Sequence, residues 1–290
     1  MKIWFITGTS RGFGREWAKA ALARGDKVAA TARNTAALKD LVSEYGKNIL
    51  PIKLDVTDRK ADFAAVKEAH DHFGRLDVVI NNAGYGLFGT IEEVTEAQAR
   101  AQMETNFFGV LWVTQAALPY LRMQRSGHIL QVSSIGGIVA FPGVGLYHAS
   151  KWALEAFSDT LSQEVSQFGI KVTLVEPSGF STDWAGSSAV HASKNPIYDS
   201  IRNVRPPRPK PGDPKASAAA ILKVVDSENP PLRLLLGKFA ADWVKEVYPR
   251  RLATWAELES VSRPSSGIPQ LQYLGNFLSF LEPETASLQT

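Results

Sequence analysis

The chain has 290 residues, a formal net charge of +3, 44% hydrophobic and 21% charged residues, and no cysteine. The missing cysteines exclude a disulfide framework, thiolate zinc sites, iron–sulfur clusters and a cysteine nucleophile, and no apolar run approaches the ~20 residues of a membrane span. The charge is too small to argue for nucleic acid. With no signal-peptide pattern at the N-terminus, the expectation is a cytoplasmic chain with no membrane or nucleic-acid partner.

In chain order, short β-rich runs alternate with helical stretches. Residues 2–7, 27–32, 49–54, 77–81, 128–133, 170–176 and 233–236 read as seven strands. Most are continuously apolar, which predicts a doubly wound parallel sheet with helices on both faces and right-handed crossovers. Two regions break the rhythm. Residues 178–215 are rich in Ser, Pro and Gly and contain a basic proline-rich stretch at 205–211; residues 263–290 follow the last helical stretch.

The first strand runs into Thr7-Gly8-Thr9-Ser10-Arg11-Gly12-Phe13-Gly14, and a helix follows. Glycines here let the backbone turn tightly and approach a pyrophosphate at a helix N-terminus, where unpaired N–H groups and the dipole favour negative charge. The same residues contain G-x-S-x-G, the nucleophile elbow of hydrolases. Position argues against that reading, because the elbow belongs on a central strand behind an earlier oxyanion loop, and Gly14 is left unexplained. Tyr147 and Lys151 lie at i and i+4 of a predicted helix and share a face. A nearby ammonium favours phenolate, so the pair could serve as a proton donor with a lowered pKa; the spacing alone fits better a tyrosine packed at a helix start with its lysine in solvent. His70 and His72, at i and i+2, point apart on a helix, and no metal site is read.

Asn81-Asn82-Ala83-Gly84 closes the fourth strand, Asn106 lies in the next helical region, Ser134 ends the fifth strand, and Tyr147-His148-Ala149-Ser150-Lys151 opens the following helix. Together with the glycine turn these motifs, spread over about residues 1–240, resemble the short-chain dehydrogenase/reductase family. The resemblance implies a single-domain Rossmann fold over 1–262, with a substrate-binding loop at 178–215 and a tail at 263–290. It also implies a catalytic set of Asn106, Ser134, Tyr147 and Lys151. Ser134 holds the substrate oxygen. Asn106 anchors a water linking Lys151 to solvent, or bonds backbone at a helix kink, or both. Gly8, Ser10, Arg11, Gly12, Phe13 and Gly14 cradle the cofactor. Asn82, Ala83 and Gly84 lie along it, Tyr147, Lys151 and Pro177 also bind it, and Thr182 meets the nicotinamide carboxamide or a diphosphate oxygen. Asp55 and Val56 bind the adenine, and Asn81 ties its strand to a neighbour. One departure is Pro177-Ser178-Gly179, where the family often has Pro-Gly.

An acidic residue at the end of the second strand would bond the ribose of NAD. That place holds Ala32, followed by Arg33. Arg33 and Arg11 could bind a 2′-phosphate with charge-assisted bonds, so NADP(H) is expected. The expected activity is hydride transfer between that cofactor and a small-molecule ketone, aldehyde or alcohol. The alternatives are an isomerase or dehydratase that holds its nicotinamide tightly, and a non-enzymatic sensor of cofactor redox state. Tyr85, Phe88, Phe141, Val144, Trp184 and Trp243 are candidates for an apolar substrate pocket. The resemblance further implies a homodimer or homotetramer, paired through helices near 97–122 and 149–168. The apolar run at 271–281 either packs on its own subunit or caps the pocket.

Overall fold

The seven apolar runs assemble, in the computed structural model, into one parallel sheet. The structure describes residues 1–203 and 210–267. Its first half is β1 (Ile3–Ile6), α1 (Gly12–Ala23), β2 (Lys27–Ala32), α2 (Lys39–Tyr45), β3 (Ile49–Lys53), α3 (Arg59–Phe73) and β4 (Val78–Asn81). A short β5 (Leu87–Phe88) precedes α4 (Glu96–Met103), α5 (Gly109–Gln124), β6 (Gly127–Val132), α6 (Gly145–Val165) and β7 (Ile170–Pro177). Then come β8 (Val190–His191), α7 (Asp199–Asn203), α8 (Pro214–Asp226) and β9 (Arg233–Leu236). The strand order is β3-β2-β1-β4-β6-β7-β9. It reverses between β1 and β4, the switch point where open α/β sheets bind ligands beyond their strand ends.

Alternate residues of each strand serve opposite faces. In β1, Trp4 and Ile6 join a core with Trp17, Leu22, Leu41 and Ile221 from α1, α2 and α8. Ile3 and Phe5 join the opposite core with Val66, Val113, Leu121 and Leu161 from α3, α5 and α6. Burying both faces is why these strands read as unbroken apolar runs. The two indole N–H groups of the first core are paired. Trp4 Nε1 donates to Asp26 at 2.9 Å and Trp17 Nε1 to Ser217 at 2.8 Å. Asp58 accepts from the N–H groups of Lys60 and Ala61, and Asp213 from that of Lys215, so both following helices start with a side-chain cap.

One feature had no signal in the sequence reading. β5 and β8 pair in parallel, Leu87 with Val190 and Phe88 with His191. This two-residue ribbon ties the segment after β7 to the segment after β4, both at the C-terminal end of the sheet. The chain divides into two compact units, Met1–Asp242 and Trp243–Thr290. The sheet belongs to the first. α9 (Ala240–Glu257) begins at the end of the first and continues into the second, and α10 (Glu259–Ser262) follows it. Most of the proline-rich stretch and the whole apolar run at 271–281 lie outside the described residues. Among the described residues no helix is long and apolar enough to cross a membrane.

Candidate active site

The glycine turn joins β1 to α1. Gly8 and Gly12 take positive φ, 69° and 59°, which an L side chain rarely adopts. At Gly14 the obstacle is contact: a Cβ would lie 2.6 Å from the Gly8 carbonyl oxygen and 2.5 Å from Asn82 Nδ2. Asn82 clamps this turn, donating to the carbonyls of Thr7 at 2.9 Å and Gly8 at 3.0 Å. Arg11, at the N-cap of α1, makes no side-chain cap. The first N–H groups of the helix therefore lack a side-chain acceptor, as an anion-binding terminus requires. These residues fit the diphosphate of a dinucleotide.

Other cofactor-site expectations divide. Phe13 packs its ring on Trp17 and Phe180, with centroids 5.0 and 4.9 Å away, so it serves the turn through its backbone. Ser10 is half-buried in the turn. Arg11 is engaged across the cleft, paired with Asp183 and bonded to Ser187. Arg33 is exposed, and its side chain has no ion pair or hydrogen bond among the described residues. Asp55 accepts from the backbone and hydroxyl of Thr57 with one oxygen. Val56 is buried and packs against Gly109. The extra serine after Pro177 is absorbed without a break: β7 runs to Pro177, and Ser178 donates its N–H to the Leu236 carbonyl. Thr182 borders Gly12, whose Cβ would lie 3.7 Å from the threonine methyl.

From the turn a continuous strip leads to the four residues predicted for catalysis. A Cβ on Gly8 would meet the Ala83 backbone at 3.0 Å. On Gly84 it would meet Asn106 Oδ1 at 3.1 Å and Lys151 Nζ at 3.7 Å. Asn106 is fully buried in a π-helical turn, Glu104–Phe108, a distortion frequent at functional sites. Its amide accepts from Tyr85 N–H at 3.1 Å and donates to the Tyr85 carbonyl at 3.0 Å and Ser150 Oγ at 3.1 Å. The backbone-bonding role expected of Asn106 is therefore present. Oδ1 also borders the space before Gly84 that Lys151 borders. Asn81 bonds Thr114 and Gln131 and is structural.

Tyr147 and Lys151 stand one turn apart on α6, both buried. Lys151 Nζ donates to the Val132 carbonyl at 2.8 Å and lies 5.9 Å from the centre of the Tyr147 ring. Ser134 hydrogen-bonds Tyr147 and, as cap of the turn after β6, accepts from Gly136 N–H at 3.0 Å. Its neighbour Ser133 faces away, toward Gly137 and Glu155. Burial pushes the Tyr147 phenol up to about 12, against the Ser134 hydrogen bond that draws it down. Burial draws Lys151 down to about 8, against the charge of Glu155. The expected lowering of Tyr147 by Lys151 is not found here: desolvation sets the direction, and Ser134 alone opposes it.

An aromatic wall stands beside Tyr147. The Trp184 ring lies 4.9 Å from that of Tyr147 and 5.0 Å from Phe88, and Phe88 stacks on His191. Gly86 makes room for the indole, since a Cβ there would lie 2.6 Å from it. Of the other pocket candidates, Val144 is buried, Tyr85 is half-buried and Phe141 packs on His148. Trp243 belongs to the second unit. The wall is assembled by the β5–β8 ribbon, so a local reading could name its residues and not their contact. Among the described residues no three His, Asp or Glu side chains converge to hold a metal.

Sheet order, glycine turn and Tyr-Lys helix define a dinucleotide-dependent oxidoreductase of Rossmann type, and the chain belongs to the short-chain dehydrogenase family. The family's sequence pattern, short chain dehydrogenase, matches residues 2–192. Oxidoreductase BOA17 of Botryotinia fuckeliana is 45% identical over 273 residues, covering 90% of this chain and 99% of that protein. The crystal structure of a short-chain dehydrogenase from Streptomyces avermitilis superposes with a TM-score of 0.85 at 42% identity, over 90% of this chain and 97% of that one. A short chain dehydrogenase from Burkholderia cenocepacia, solved in complex with NADP, gives 0.71 at 27% identity, over 89% and 99%.

Proposed function

We propose that the chain is an NADP(H)-dependent carbonyl reductase or alcohol dehydrogenase acting on a bulky, apolar or aromatic-bearing ketone, aldehyde or alcohol. The observation that carries this is the unbroken strip from the glycine turn through Ala83 and Gly84 to Asn106, Lys151, Tyr147 and Ser134. A bound nicotinamide supplies or accepts the hydride at its C4. In reduction, Tyr147 gives its phenolic proton to the carbonyl oxygen while Ser134 holds that oxygen in place. Lys151 stabilises the phenolate left behind; when Lys151 passes a proton on to restore the phenol, a water at Asn106 returns one to Lys151. The wall of Trp184 and Phe88 supports an apolar substrate, because it offers flat rings beside the proton donor.

The cofactor preference rests on β2. It ends without a carboxylate, and the next residue is Arg33, exposed and unpaired among the described residues. Its exposed, unengaged guanidinium supports Arg33, more than the engaged Arg11, as the partner of a 2′-phosphate. The test compares kcat/KM with NADPH and NADH across a panel of aromatic and aliphatic carbonyls. The reading expects turnover with NADPH preferred, and Arg33→Asp reversing that preference. A wild-type preference for NADH would sink the cofactor assignment, and absence of turnover with every carbonyl and alcohol would sink the reaction.

A further inference from the structure

Behind the Tyr147–Lys151 pair lies a buried acidic pair that proton transfer as described does not use. Glu155 follows Lys151 by one helical turn and is 5% exposed; Glu176, the penultimate residue of β7, is 1% exposed. The two carboxyl groups lie close enough to influence each other's ionisation. One arginine serves both: Arg233 of β9 pairs with Glu155, reaches Glu176 at 3.2 Å and reaches Asp159 at 3.0 Å. Glu155 Oε1 and Ser133 Oγ border the same point in front of Gly137, at 3.0 and 2.6 Å from where its Cβ would stand. The residue before Ser133 is Val132, whose carbonyl holds Lys151 Nζ. The charged groups facing Glu155 are therefore Lys151 and Asp159 from its own helix, Glu176 from β7 and Arg233 from β9.

Two carboxyl groups in contact inside a protein do not both ionise. Arg233 sits closest to Glu155, so Glu155 is the carboxylate and Glu176 carries the proton. Burial and the Glu155 charge together push Glu176 up to about 8. Glu155 is then a fixed negative charge one turn from a buried ammonium that desolvation would otherwise discharge.

We propose that Glu155 is a positioning residue for proton transfer at Tyr147: its carboxylate keeps the Lys151 ammonium charged, and Glu176 and Arg233 determine that Glu155 is the member of the pair bearing that charge. The role rests on the oxidoreductase reading, since it acts through Lys151. The Lys151 ammonium is lost as pH rises through about 8, so the wild-type alkaline limit lies there. Removing the carboxylate moves that limit to lower pH.

The experiment titrates Lys151 directly, by NMR of the full chain carrying 13C-labelled lysine, with the resonance assigned through Lys151→Arg. Glu155→Gln is expected to lower the midpoint by about one pH unit and to shift the alkaline limb of kcat/KM with it. Glu176→Gln leaves Glu155 ionised throughout and is expected to leave the midpoint at or above the wild-type value. Unchanged Lys151 titration in Glu155→Gln overturns the proposal, even if melting temperature or kcat falls. Should Glu155→Gln fail to fold, a midpoint below wild type in Glu176→Gln overturns it. The NMR readout needs no turnover, so it fails or succeeds separately from the assignment of the reaction.

Discussion

Two opposing influences act on the Tyr147 proton: burial holds it on the phenol, and the Ser134 hydrogen bond loosens it. A buried, neutral phenol is suited to donate. Tyr147→Phe keeps the ring and removes the donor, so turnover is expected to fall by ~10²–10⁴, with cofactor affinity, measured by fluorescence titration, nearly unchanged. Retention of more than about a tenth of the activity would show another acid at work. Trp184→Ala opens the aromatic wall and is expected to raise KM for aromatic carbonyls more than for small aliphatic ones; equal effects on both would remove Trp184 from the pocket. Asp62, fully buried on α3 with neither carboxyl oxygen paired among the described residues, gives a prediction about stability. Burial pushes it up to about 8 from an ordinary 3.8. Its folded form is neutral while the unfolded form ionises, so stability is lost as pH rises between those values. Asp62→Asn is expected to melt above wild type at neutral pH, with the difference vanishing near pH 4. A pH-independent difference in melting temperature would contradict this.

At the scale of elements, the glycine turn and the segment after β7 build the two sides of the cleft. Gly14→Ala forces a methyl into the Gly8 carbonyl and the Asn82 amide. The backbone there has no room to yield, so cofactor binding by calorimetry is expected to be lost along with some stability. The segment after β7 is moored by Glu93, which accepts the N–H groups of Asn195 and Thr90 and pairs with Arg202. These donors hold its carboxyl down to about 2. The mooring is intact above the ordinary carboxyl range and weakens as pH falls toward that value. Glu93→Gln is expected to speed hydrogen exchange across residues 190–203 at neutral pH while the sheet stays protected. Unaltered exchange would mean that the β5–β8 ribbon alone holds the segment.

For the whole molecule, the seven-stranded sheet leaves Ala149, Ala156 and Thr160 exposed on α6, beside an exposed Trp152. Small side chains permit close helix approach, and closed two-fold symmetry is the common outcome. Light scattering at micromolar concentration is expected to give at least a dimer, and Ala156→Glu to lower that mass. A monomer in the wild type would contradict the assembly. The apolar residues Tyr248, Leu252 and Trp255 are exposed within the second unit.

Sequence alone determined the sheet and named the residues proposed for catalysis. The strands were legible because burial on both faces demands unbroken apolar runs, and their observed ends differ by at most about one residue. The glycine turn was legible because positive φ and close backbone contact restrict the residue type whatever lies nearby. Tyr147 and Lys151 were legible because one helical turn joins them. Tertiary structure decided what depends on residues distant in the chain. Arg11 is occupied because Asp183 and Ser187 fold back across the cleft. Trp184 reaches Tyr147 because a two-residue ribbon, too short to leave a pattern, carries it there. The pKa directions at Tyr147 and Lys151 follow from burial, which spacing along a helix cannot report. Glu155 and Glu176 look like solvated charges in the sequence; they meet only because α6, β7 and β9 pack together around Arg233.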